Sequence, residues 1–346
     1  MRVVAAMSGG VDSSVVAGLL HEAGHEVIGV HMKLHEVTEG QAGHCCGLDD
    51  VMDARDVADT LGIPFYVMDL REAFKKAVMD DFAENYLAGR TPNPCVRCNG
   101  VLKFQVLLQR AKALGASHLA TGHYAKVSED GGLFRAKDAA KDQSYFLFPA
   151  KRKAFQQTLF PLGGMTKDEV RNEAKRLGLL TSSKPDSQEV CFIPDDNHTR
   201  FIREHRPDAE GAGDIVNEDG EVLGQHDGYF RYTIGQRRGL GIAAGYPLYV
   251  LRIQPASRRV VVGPADRLEE QGLIASDINW FRKPEPDEPI HARIRHNGGL
   301  IPATVEGDDP ITVRFQAPAR AVAPGQAVVL YSDDEVLGGG WIEQAL

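Results

Sequence analysis

Residues 3–14, VVAAMSGGVDSS, decide the fold. The apolar start predicts a buried strand, and the amphipathic pattern that follows from Ser13 predicts a helix. The glycines allow a tight turn, and a helix N-terminus carries positive partial charge. Backbone amides and the hydroxyls of Ser8, Ser13 and Ser14 should therefore meet at one point and bind phosphate. The loop lacks the lysine of G-x-x-x-x-G-K-[ST] loops, and the alternative is an ordinary Ser/Gly turn.

Strand and helix patterns alternate through the first half of the chain. Further strands are predicted at 26–32, 65–70 and 118–121, and helices at 49–61, 71–87, 101–114 and 166–177. The last helix has the clearest start, because Thr166 and Glu169 form a capping-box pattern, and Gly178 ends it. Strands that alternate with helices pack as a covered parallel sheet, so the fold class is α/β.

The pattern changes after residue 195. Gly and Pro interrupt short Val-rich runs such as 259–263, and residues 311–315 and 327–331 alternate like strands of a small antiparallel barrel. The length of 346 residues also favours more than one domain. We expect a nucleotide-binding domain at 1–195, a small mixed central domain at 196–270 and a C-terminal β-barrel at 271–346.

Composition excludes several classes of protein. Hydrophobic residues make up 43% and charged residues 25%, which excludes disordered, collagen-like and disulfide-scaffold proteins. No apolar run reaches the roughly 18 residues of a membrane span, and the N-terminal apolar stretch is too short for a signal peptide. We therefore expect a cytoplasmic protein without a membrane partner. The net charge of −9 still allows a locally basic face that binds nucleic acid.

Three of the five cysteines lie in segments that suit chemistry. Cys95 and Cys98 lie three residues apart beside a Pro-rich turn, just before a predicted helix, and Cys191 lies far along the chain. A thiolate is nucleophilic when its pKa is lowered, and Arg97 and Lys103 are close to Cys98 in sequence. Two separated thiols suit a sulfur relay, in which one carries a persulfide and the other resolves it as a disulfide.

A C-x-x-C pair is also half of a common zinc site. His44, Cys45 and Cys46 are the candidate co-ligands for Cys95 and Cys98. The pair Cys45–Cys46 has no other assigned role, so zinc binding and sulfur chemistry both stay open at this point.

The loop at Ser8 resembles that of the pyrophosphate-loop ATPases, which cleave ATP between its α and β phosphates and place AMP on a carbonyl oxygen. The resemblance implies ATP and Mg²⁺ as cofactors, with Asp12 near the pyrophosphate and its magnesium. Met32 and Gly122 match nucleotide contacts, although Met32 alone is also typical of a core residue. The ATP-binding residues that the resemblance implies are Ala6, Met7, Ser8, Gly9, Gly10, Val11, Asp12, Ser13, Met32 and Gly122.

Five segments together resemble the bacterial tRNA-specific 2-thiouridylase family. They are residues 8–13, 93–99, 141–147, 186–193 and 232–240, and they occur in the family's order. The resemblance implies that ATP activates the 2-carbonyl of the wobble uridine in tRNAs for Lys, Glu and Gln, and that a persulfide sulfur displaces AMP. It implies two partners, tRNA and a persulfide donor that is a cysteine desulfurase or a relay protein.

The family's catalytic roles fall on the cysteines. Cys191 matches the persulfide-bearing cysteine and Cys98 the nucleophile, which implies a disulfide between them during turnover. Many members have Asp where this chain has Cys95, so a proton-handling carboxylate is absent here. The resulting set of three thiols resembles thiolases that hold an iron–sulfur cluster, so a relay and a cluster are rival hypotheses.

The resemblance also implies tRNA contacts in the first and third expected domains. They are Asn93, Pro94, Cys95, His123, Lys141, Asp142, Gln143, Arg293, Ile294 and Gln326. The first three match the segment that meets the flipped-out target base. Basic runs at 151–153, 237–238 and 258–259 add candidate phosphate contacts, although one such run alone is more often a solvated face.

Two other functions fit parts of the pattern. An adenylate-forming amide ligase would use the same loop, but it needs ammonia rather than cysteines, and no glutaminase-like segment is evident. A non-enzymatic RNA-binding protein would leave the phosphate-binding loop without a role. The sequence therefore favours thiolation.

Overall fold

The computed structural model describes residues 1–36, 48–185 and 190–346. The chain divides into two compact units whose segments alternate in sequence. The first unit comprises Met1–Val78, Cys95–Asp196 and Asp334–Val336, and the second comprises Met79–Pro94, Asn197–Asp333 and Leu337–Leu346. The candidate zinc ligands His44, Cys45 and Cys46 and residues 186–189, half of the predicted persulfide segment 186–193, lie outside the described residues.

The first unit is built on a parallel sheet. Its strands are β1 (Arg2–Ala6), β2 (Glu26–Lys33), β3 (Phe65–Asp69), β4 (His118–Ala120), β5 (Lys126–Val127), β6 (Leu133–Phe134) and β7 (Thr158–Leu159). The parallel sheet has the order β3-β2-β1-β4-β7, while β5 and β6 form an antiparallel hairpin. The chain leaves β1 toward β2 and β3 and later returns to β4 on the other side. Open α/β sheets bind ligands at the carboxyl ends of strands beside such a switch point.

The helices confirm the α/β class. They are α1 (Val11–Glu22), α2 (Leu48–Leu61), α3 (Arg71–Phe74), α4 (Asp80–Leu87), α5 (Pro94–Arg97), α6 (Leu108–Ala113), α7 (Arg152–Phe155), α8 (Lys167–Arg176) and α9 (His198–His205). The predicted capping box is confirmed at the start of α8, where Thr166 and Glu169 bond each other's backbone N–H groups. One apolar core joins β1, α1, α2 and α8.

Two segments predicted as continuous helices contain π-helical turns. These turns are Lys75–Met79, between α3 and α4, and Cys98–Leu107, between α5 and α6. A π-helix closes hydrogen bonds from residue i to i+5, so residues five apart lie near the same face of the helix. In an α-helix they would be separated by about 140°. The π-helix therefore brings Cys98 and Lys103 to the same face.

The second unit is mostly β-structure. Its first strands are β8 (Gly213–Val216), β9 (Val222–His226), β10 (Tyr249–Gln254) and β11 (Arg259–Gly263), in the order β10-β11-β8-β9. They are followed by β12 (Glu269–Trp280), β13 (Ile290–Arg293), β14 (Ile301–Gly307), β15 (Ile311–Arg320), β16 (Ala327–Ser332) and β17 (Glu335–Ala345). Pairing of β12 with both β15 and β17 closes these six strands around an apolar core, which confirms the predicted C-terminal barrel.

Short 3₁₀ helices complete the described structure. They are Ser144–Phe146, Pro161–Gly164, Leu180–Ser183, Tyr229–Arg231, Pro255–Ser257 and Ala265–Leu268. Across residues 1–36, 48–185 and 190–346, no helix is both long enough and apolar enough to cross a membrane.

Candidate functional site

The loop between β1 and α1 carries three serines. The side chains of two of them, Ser8 and Ser13, meet as the sequence predicts. The Ser13 hydroxyl accepts a hydrogen bond from the backbone N–H of Ser8 (3.1 Å), and the two hydroxyl oxygens lie 3.3 Å apart. The Ser14 side chain is fully buried and donates to the carbonyl oxygen of Gly10 (2.9 Å). The Ser13 hydroxyl donates to the same oxygen (3.1 Å), so both hydroxyls close the first turn of α1, and Ser8 is the exposed serine of the three.

Gly9 makes the turn possible. It has a φ of +80°, in the left-handed region that favours glycine. A Cβ at this position would lie 2.3 Å from the backbone carbonyl oxygen of Asp50 in α2. The loop is therefore packed directly against the start of α2, and any side chain here would displace it.

Gly122, which follows β4, packs against the first turn of α1. A Cβ on Gly122 would lie 3.0 Å from the backbone nitrogen of Ser13 and 3.1 Å from Cβ of Asp12. Met32 is half-buried near the carboxyl end of β2, the strand that pairs with β1. The sequence-predicted ATP residues thus gather at the carboxyl edge of β1, β2 and β4, where the topology favours a ligand.

A buried lysine that no sequence pattern indicated lies against this loop. The Nζ of Lys167 donates to both carboxylate oxygens of Asp12, at 2.8 and 2.9 Å. The hydroxyl of Tyr124 also donates to Asp12 (2.8 Å), and the Lys167 ammonium sits over the Tyr124 ring. Because 155 residues separate Lys167 from Asp12, local spacing carries no signal for this pair.

The pKa of the candidate nucleophile Cys98 is raised, whereas its cationic neighbours in sequence predicted a lowered pKa. Burial raises the pKa of the Cys98 thiol to about 11, and Cys95 adds to the rise, while the positive charge of Lys103 lowers it by less. The residue as a whole is half-buried, but its thiol lies in desolvated surroundings. In this conformation Cys98 is therefore a protonated thiol near neutral pH.

Lys103 belongs to a buried network with His123. Its Nζ lies 3.3 Å from Nε2 of His123, and Nδ1 of His123 lies 2.7 Å from the Thr121 hydroxyl. Burial, and after it the charge of Lys103, hold the pKa of His123 well below its usual range. Since the ammonium can only donate, neutral Nε2 accepts from Lys103 and Nδ1–H donates to Thr121. His123, an expected tRNA contact, is thus 8% exposed and orients Lys103.

Among the described residues, Cys95 and Cys191 do not complete a metal site with Cys98. Cys95 is exposed and Cys191 is half-buried, following directly on residues 186–189. Within the described ranges, no group of three or more His, Cys, Asp or Glu side chains is placed to hold a metal ion. The three thiols therefore do not fit an iron–sulfur cluster in this conformation.

The expected tRNA contacts of residues 141–143 help to shape a turn. Asp142 is 1% exposed and accepts hydrogen bonds from the backbone N–H of Ala136 (3.1 Å) and the hydroxyl of Ser144 (3.0 Å). The Gln143 side-chain oxygen accepts from the backbone N–H of Tyr124 (3.1 Å). Lys141 is half-buried. Asp142 and Gln143 therefore stabilise the conformation of this turn through internal hydrogen bonds.

In the second unit, Gln326 contacts residues 91–92, which come just before the residues expected to contact the target base. Its side-chain amide donates to the carbonyl oxygens of Thr91 (3.0 Å) and Pro92 (3.3 Å), which precede Asn93 and Pro94. These hydrogen bonds fix the backbone immediately before Asn93.

The other expected contacts of the second unit lie apart in sequence, on the barrel. Arg293 is half-buried, and its Nε donates to the carbonyl oxygen of Gly298 (3.1 Å). Ile294 is 6% exposed. Arg293 thus keeps a partly accessible charged side chain, whereas Ile294 packs into the barrel core.

Comparison with known proteins identifies the family. Three family models match: "tRNA methyl transferase HUP domain" at residues 1–195, "tRNA methyl transferase PRC-barrel domain" at 199–264 and "Aminomethyltransferase beta-barrel domain" at 270–342. The tRNA-specific 2-thiouridylase MnmA of Geotalea uraniireducens is 52% identical, covering 100% of this chain and 96% of the relative. The MnmA proteins of Geobacter metallireducens and Carboxydothermus hydrogenoformans are each 49% identical over 100% of this chain, and 97% and 98% of their own lengths are covered.

The chain belongs to the tRNA-specific 2-thiouridylase family. This confirms the family predicted from the five sequence segments. Two of the matching family models are named for methyl transfer, whereas the full-length relatives of this 2-thiouridylase family member are named for thiolation.

For this 2-thiouridylase family member, the state of Cys98 gives a direct prediction. Alkylation of Cys98 by iodoacetamide should be slow near neutral pH and should accelerate as pH rises toward about 11, because only the thiolate reacts. Lys103→Met removes the charge that favours the thiolate, so its rate profile should move to higher pH. Peptide mass spectrometry measures both profiles.

The matched control is Lys112→Met, an exposed lysine on α6, which should leave the Cys98 profile unchanged. A Cys98 that reacts fully near neutral pH, or a Lys103→Met profile identical to that of the unsubstituted chain, would contradict this assignment.

Proposed function

We propose that the chain is an ATP-dependent tRNA uridine 2-sulfurtransferase, which thiolates the wobble uridine of tRNAs for Lys, Glu and Gln. The similarity to 2-thiouridylases over the whole chain carries this proposal. The phosphate-binding loop and the cysteine Cys98 support it from the chemistry, since one suits adenylation and the other suits sulfur transfer. They lie in the same compact unit.

The first step is activation of the uridine. The 2-carbonyl oxygen attacks the α-phosphorus of ATP, a P–O bond to the β-phosphate breaks, and pyrophosphate leaves. The amides of Gly9 and Gly10, the exposed hydroxyl of Ser8 and the N-terminus of α1 bind and orient the phosphates, while Ser13 holds the loop by accepting from the Ser8 N–H. Magnesium supplies charge neutralisation when it accompanies the nucleotide, and the Asp12 carboxylate is a ligand type that it prefers.

The second step is sulfur transfer. The terminal sulfur of a persulfide on Cys191 attacks C2 of the adenylated uridine, and AMP leaves with the bonding electrons and the former carbonyl oxygen. The Cys98 thiolate then attacks Sγ of Cys191, which breaks the S–S bond, leaves sulfur on C2 and forms a Cys98–Cys191 disulfide. A thiol reductant from outside the chain restores both thiols.

Cys98 needs to lose a proton before this attack. Because its pKa is raised, Cys98 is a protonated thiol, and therefore a weak nucleophile, in this conformation. Lys103, oriented by neutral His123, supplies the nearby charge that favours the thiolate. An iron–sulfur version of the reaction needs Cys95, Cys98 and Cys191 together, and the relay needs Cys98 and Cys191 together.

Partners and domains complete the proposal. The persulfide on Cys191 comes from a cysteine desulfurase or relay protein in the cytoplasm. We also propose the division into domains at 1–195, 196–270 and 271–346, which the matched family segments 1–195, 199–264 and 270–342 support. The ten residues that match the family's tRNA contacts lie in the first and third domains, and three of them, His123, Asp142 and Ile294, are buried and support the surface from within. The basic runs at 237–238 and 258–259 are the candidate contacts of the central domain.

The direct test is thiolation in vitro of unmodified tRNA by the purified, iron-free chain in air, with ATP and a persulfide-charged donor. We expect 2-thiouridine in the digested tRNA and pyrophosphate release that depends on tRNA. Pyrophosphate release driven by a carboxylate and ammonia would favour the amide ligase, and none under any condition would favour simple RNA binding. Activity only without oxygen and with bound iron would replace the relay by the cluster.

Arg237 tests the RNA-binding face. It is exposed and lines an open pocket of about 460 Å³ together with Tyr246, which is 60% exposed. Because a phosphate contact releases counterions, Arg237→Ala should weaken tRNA binding and lower the salt slope of log Kd by about 1 without changing the preferred tRNA. Titrations of several tRNAs over a range of salt concentrations measure this.

The control for Arg237 is Arg267→Ala, which removes an exposed arginine already neutralised by Glu218 at 2.8 and 3.0 Å. It should leave the slope unchanged. A changed tRNA preference together with an unaltered slope for Arg237→Ala would refute the phosphate contact.

A further inference from the structure

Residues 87–92 connect α4 to the segment expected to contact the target base, and the second unit holds the start of this stretch. The hydroxyl of Tyr229 donates to the carbonyl oxygen of Leu87 (2.7 Å). Gly89 has a φ of +72°, and a Cβ on it would lie 2.7 Å from Cγ of Pro255. The stretch is therefore packed tightly against residues that follow α9 in the same unit.

The end of the stretch is held by the C-terminal barrel, at the turn 324–326 between β15 and β16. The backbone N–H of Thr91 donates to the carbonyl oxygen of Pro324 (2.8 Å). In return, the side-chain amide of Gln326 donates to the carbonyl oxygens of Thr91 (3.0 Å) and Pro92 (3.3 Å). The turn thus bonds three backbone groups at residues 91–92.

The turn 324–326 is itself tied to the barrel. The backbone N–H of Gly325 donates to the carbonyl oxygen of Ile342 in β17 (2.8 Å), and the N–H of Ile342 donates to the carbonyl oxygen of Gln326 (2.8 Å). Ile342 is fully buried in the barrel core. Backbone hydrogen bonds in such a core open rarely, so the turn is a firm support for residues 91–92.

Gly325 permits this close approach. It has a φ of +88°, in the left-handed region that favours glycine. A Cβ on it would lie 2.9 Å from Cβ of Arg90, 3.0 Å from the backbone nitrogen of Thr91 and 3.1 Å from its carbonyl oxygen. A side chain at position 325 would therefore push residues 90–91 away from the barrel.

A displacement of Thr91 passes directly to Asn93. Asn93 lies between Pro92 and Pro94, both of which are buried. Proline fixes its own φ at about −65° and also restricts the residue before it. The backbone on either side of Asn93 therefore has little freedom to absorb a shift that begins at the barrel.

We propose that the barrel turn 324–326 is a positioning element for the target uridine, because it sets where Asn93 lies. This inference rests on the proposed function, in which Asn93 and Pro94 contact the flipped-out base. The residues of the turn act through the backbone of residues 91–92 and do not touch the reacting atoms in this role. The barrel then contributes to the rate of the chemical step and not only to tRNA affinity.

The test is thiolation of unmodified tRNA at saturating ATP and tRNA by the whole chain and its Gly325→Ala and Gln326→Leu variants, with the tRNA Kd measured separately. Gly325→Ala displaces residues 90–91, so kcat should fall roughly 10- to 100-fold, as for a base misplaced by about 1 Å. The tRNA Kd should stay within about twofold, because an effect on the geometry of reaction lowers kcat and leaves ground-state binding intact. Gln326→Leu should also lower kcat, whereas a direct contact of Gln326 with tRNA would raise Kd instead.

Gly220→Ala is the matched control from the same unit. Gly220 has a similar φ of +86°, but no atom lies within 4 Å of the position of its Cβ. This variant should lower the Tm through backbone strain and leave kcat unchanged. Hydrogen exchange gives a readout besides activity, since the Thr91 N–H should exchange faster in Gly325→Ala and Gln326→Leu but not in Gly220→Ala.

A folded Gly325→Ala chain with the wild-type kcat would overturn the inference. A loss that appears only in the tRNA Kd, or an equal fall of kcat in Gly220→Ala, would overturn it as well. If Gly325→Ala does not fold, Gln326→Leu decides by the same comparison of kcat with Kd. A wild-type chain that does not thiolate tRNA contradicts the proposed function, and exchange of the Thr91 N–H then decides whether the turn holds this stretch.

Discussion

Cys191→Ala is expected to abolish tRNA thiolation, by a factor on the order of 10³ or more, while pyrophosphate release with ATP and tRNA continues. The reason is that adenylation uses the phosphate-binding loop, whereas the transferred sulfur is carried on Cys191. Measuring 2-thiouridine and pyrophosphate in one reaction separates the two steps. Thiolation that survives in Cys191→Ala would mean that the donor passes sulfur directly to the adenylated uridine.

Cys98→Ala should lose thiolation to a similar extent but should leave a different product. Without the Cys98 thiolate, the tRNA stays attached to Cys191 through a disulfide, so a complex that a thiol reductant releases should accumulate. Cys95→Ala tests the neighbouring thiol, and the relay predicts that it still transfers sulfur and forms no trapped tRNA complex, even if its contact with the base is weakened. Loss of activity in all three variants, with an iron requirement, would favour the cluster.

Gly9→Ala should have the second large effect, on ATP binding. The new Cβ would meet the carbonyl oxygen of Asp50 at 2.3 Å, and the φ of +80° is itself unfavourable for alanine. Backbone on both sides has to shift, which moves the amides that face the phosphates. We expect ATP affinity to fall at least about tenfold, together with a lower Tm, because one misplaced charge-assisted hydrogen bond accounts for that much.

Gly24→Ala is the control for conformation alone. Gly24 has a similar φ of +77°, but no atom lies within 4 Å of the position of its Cβ. It should lower stability by about 1 kcal/mol and leave ATP affinity unchanged. Equal effects of the two variants on ATP binding would show that the contact with Asp50 does not position the loop.

The local signals in the sequence predicted much of the fold. The Thr166–Glu169 capping box acts within one helical turn, so its spacing alone predicts the start of α8. Alternating strand and helix patterns predicted the parallel sheet, and period-two alternation predicted the barrel. The π-helix at Cys98–Leu107 was missed, because its residues fit an ordinary helix equally well and the difference lies in how the chain packs.

In the candidate site, too, some features were predictable from local sequence and others depend on how the chain packs. The Ser8–Ser13 loop, the glycine at position 9 and the cysteines are recognisable because their chemistry lies in contiguous residues. The pairing of Asp12 with Lys167, the burial of His123 and the raised pKa of Cys98 depend on contacts between distant segments and on exclusion of water. A sequence states which side chains are present and at what spacing. Which charges meet, and which thiol is kept from water, follows only when the folded chain brings those segments together.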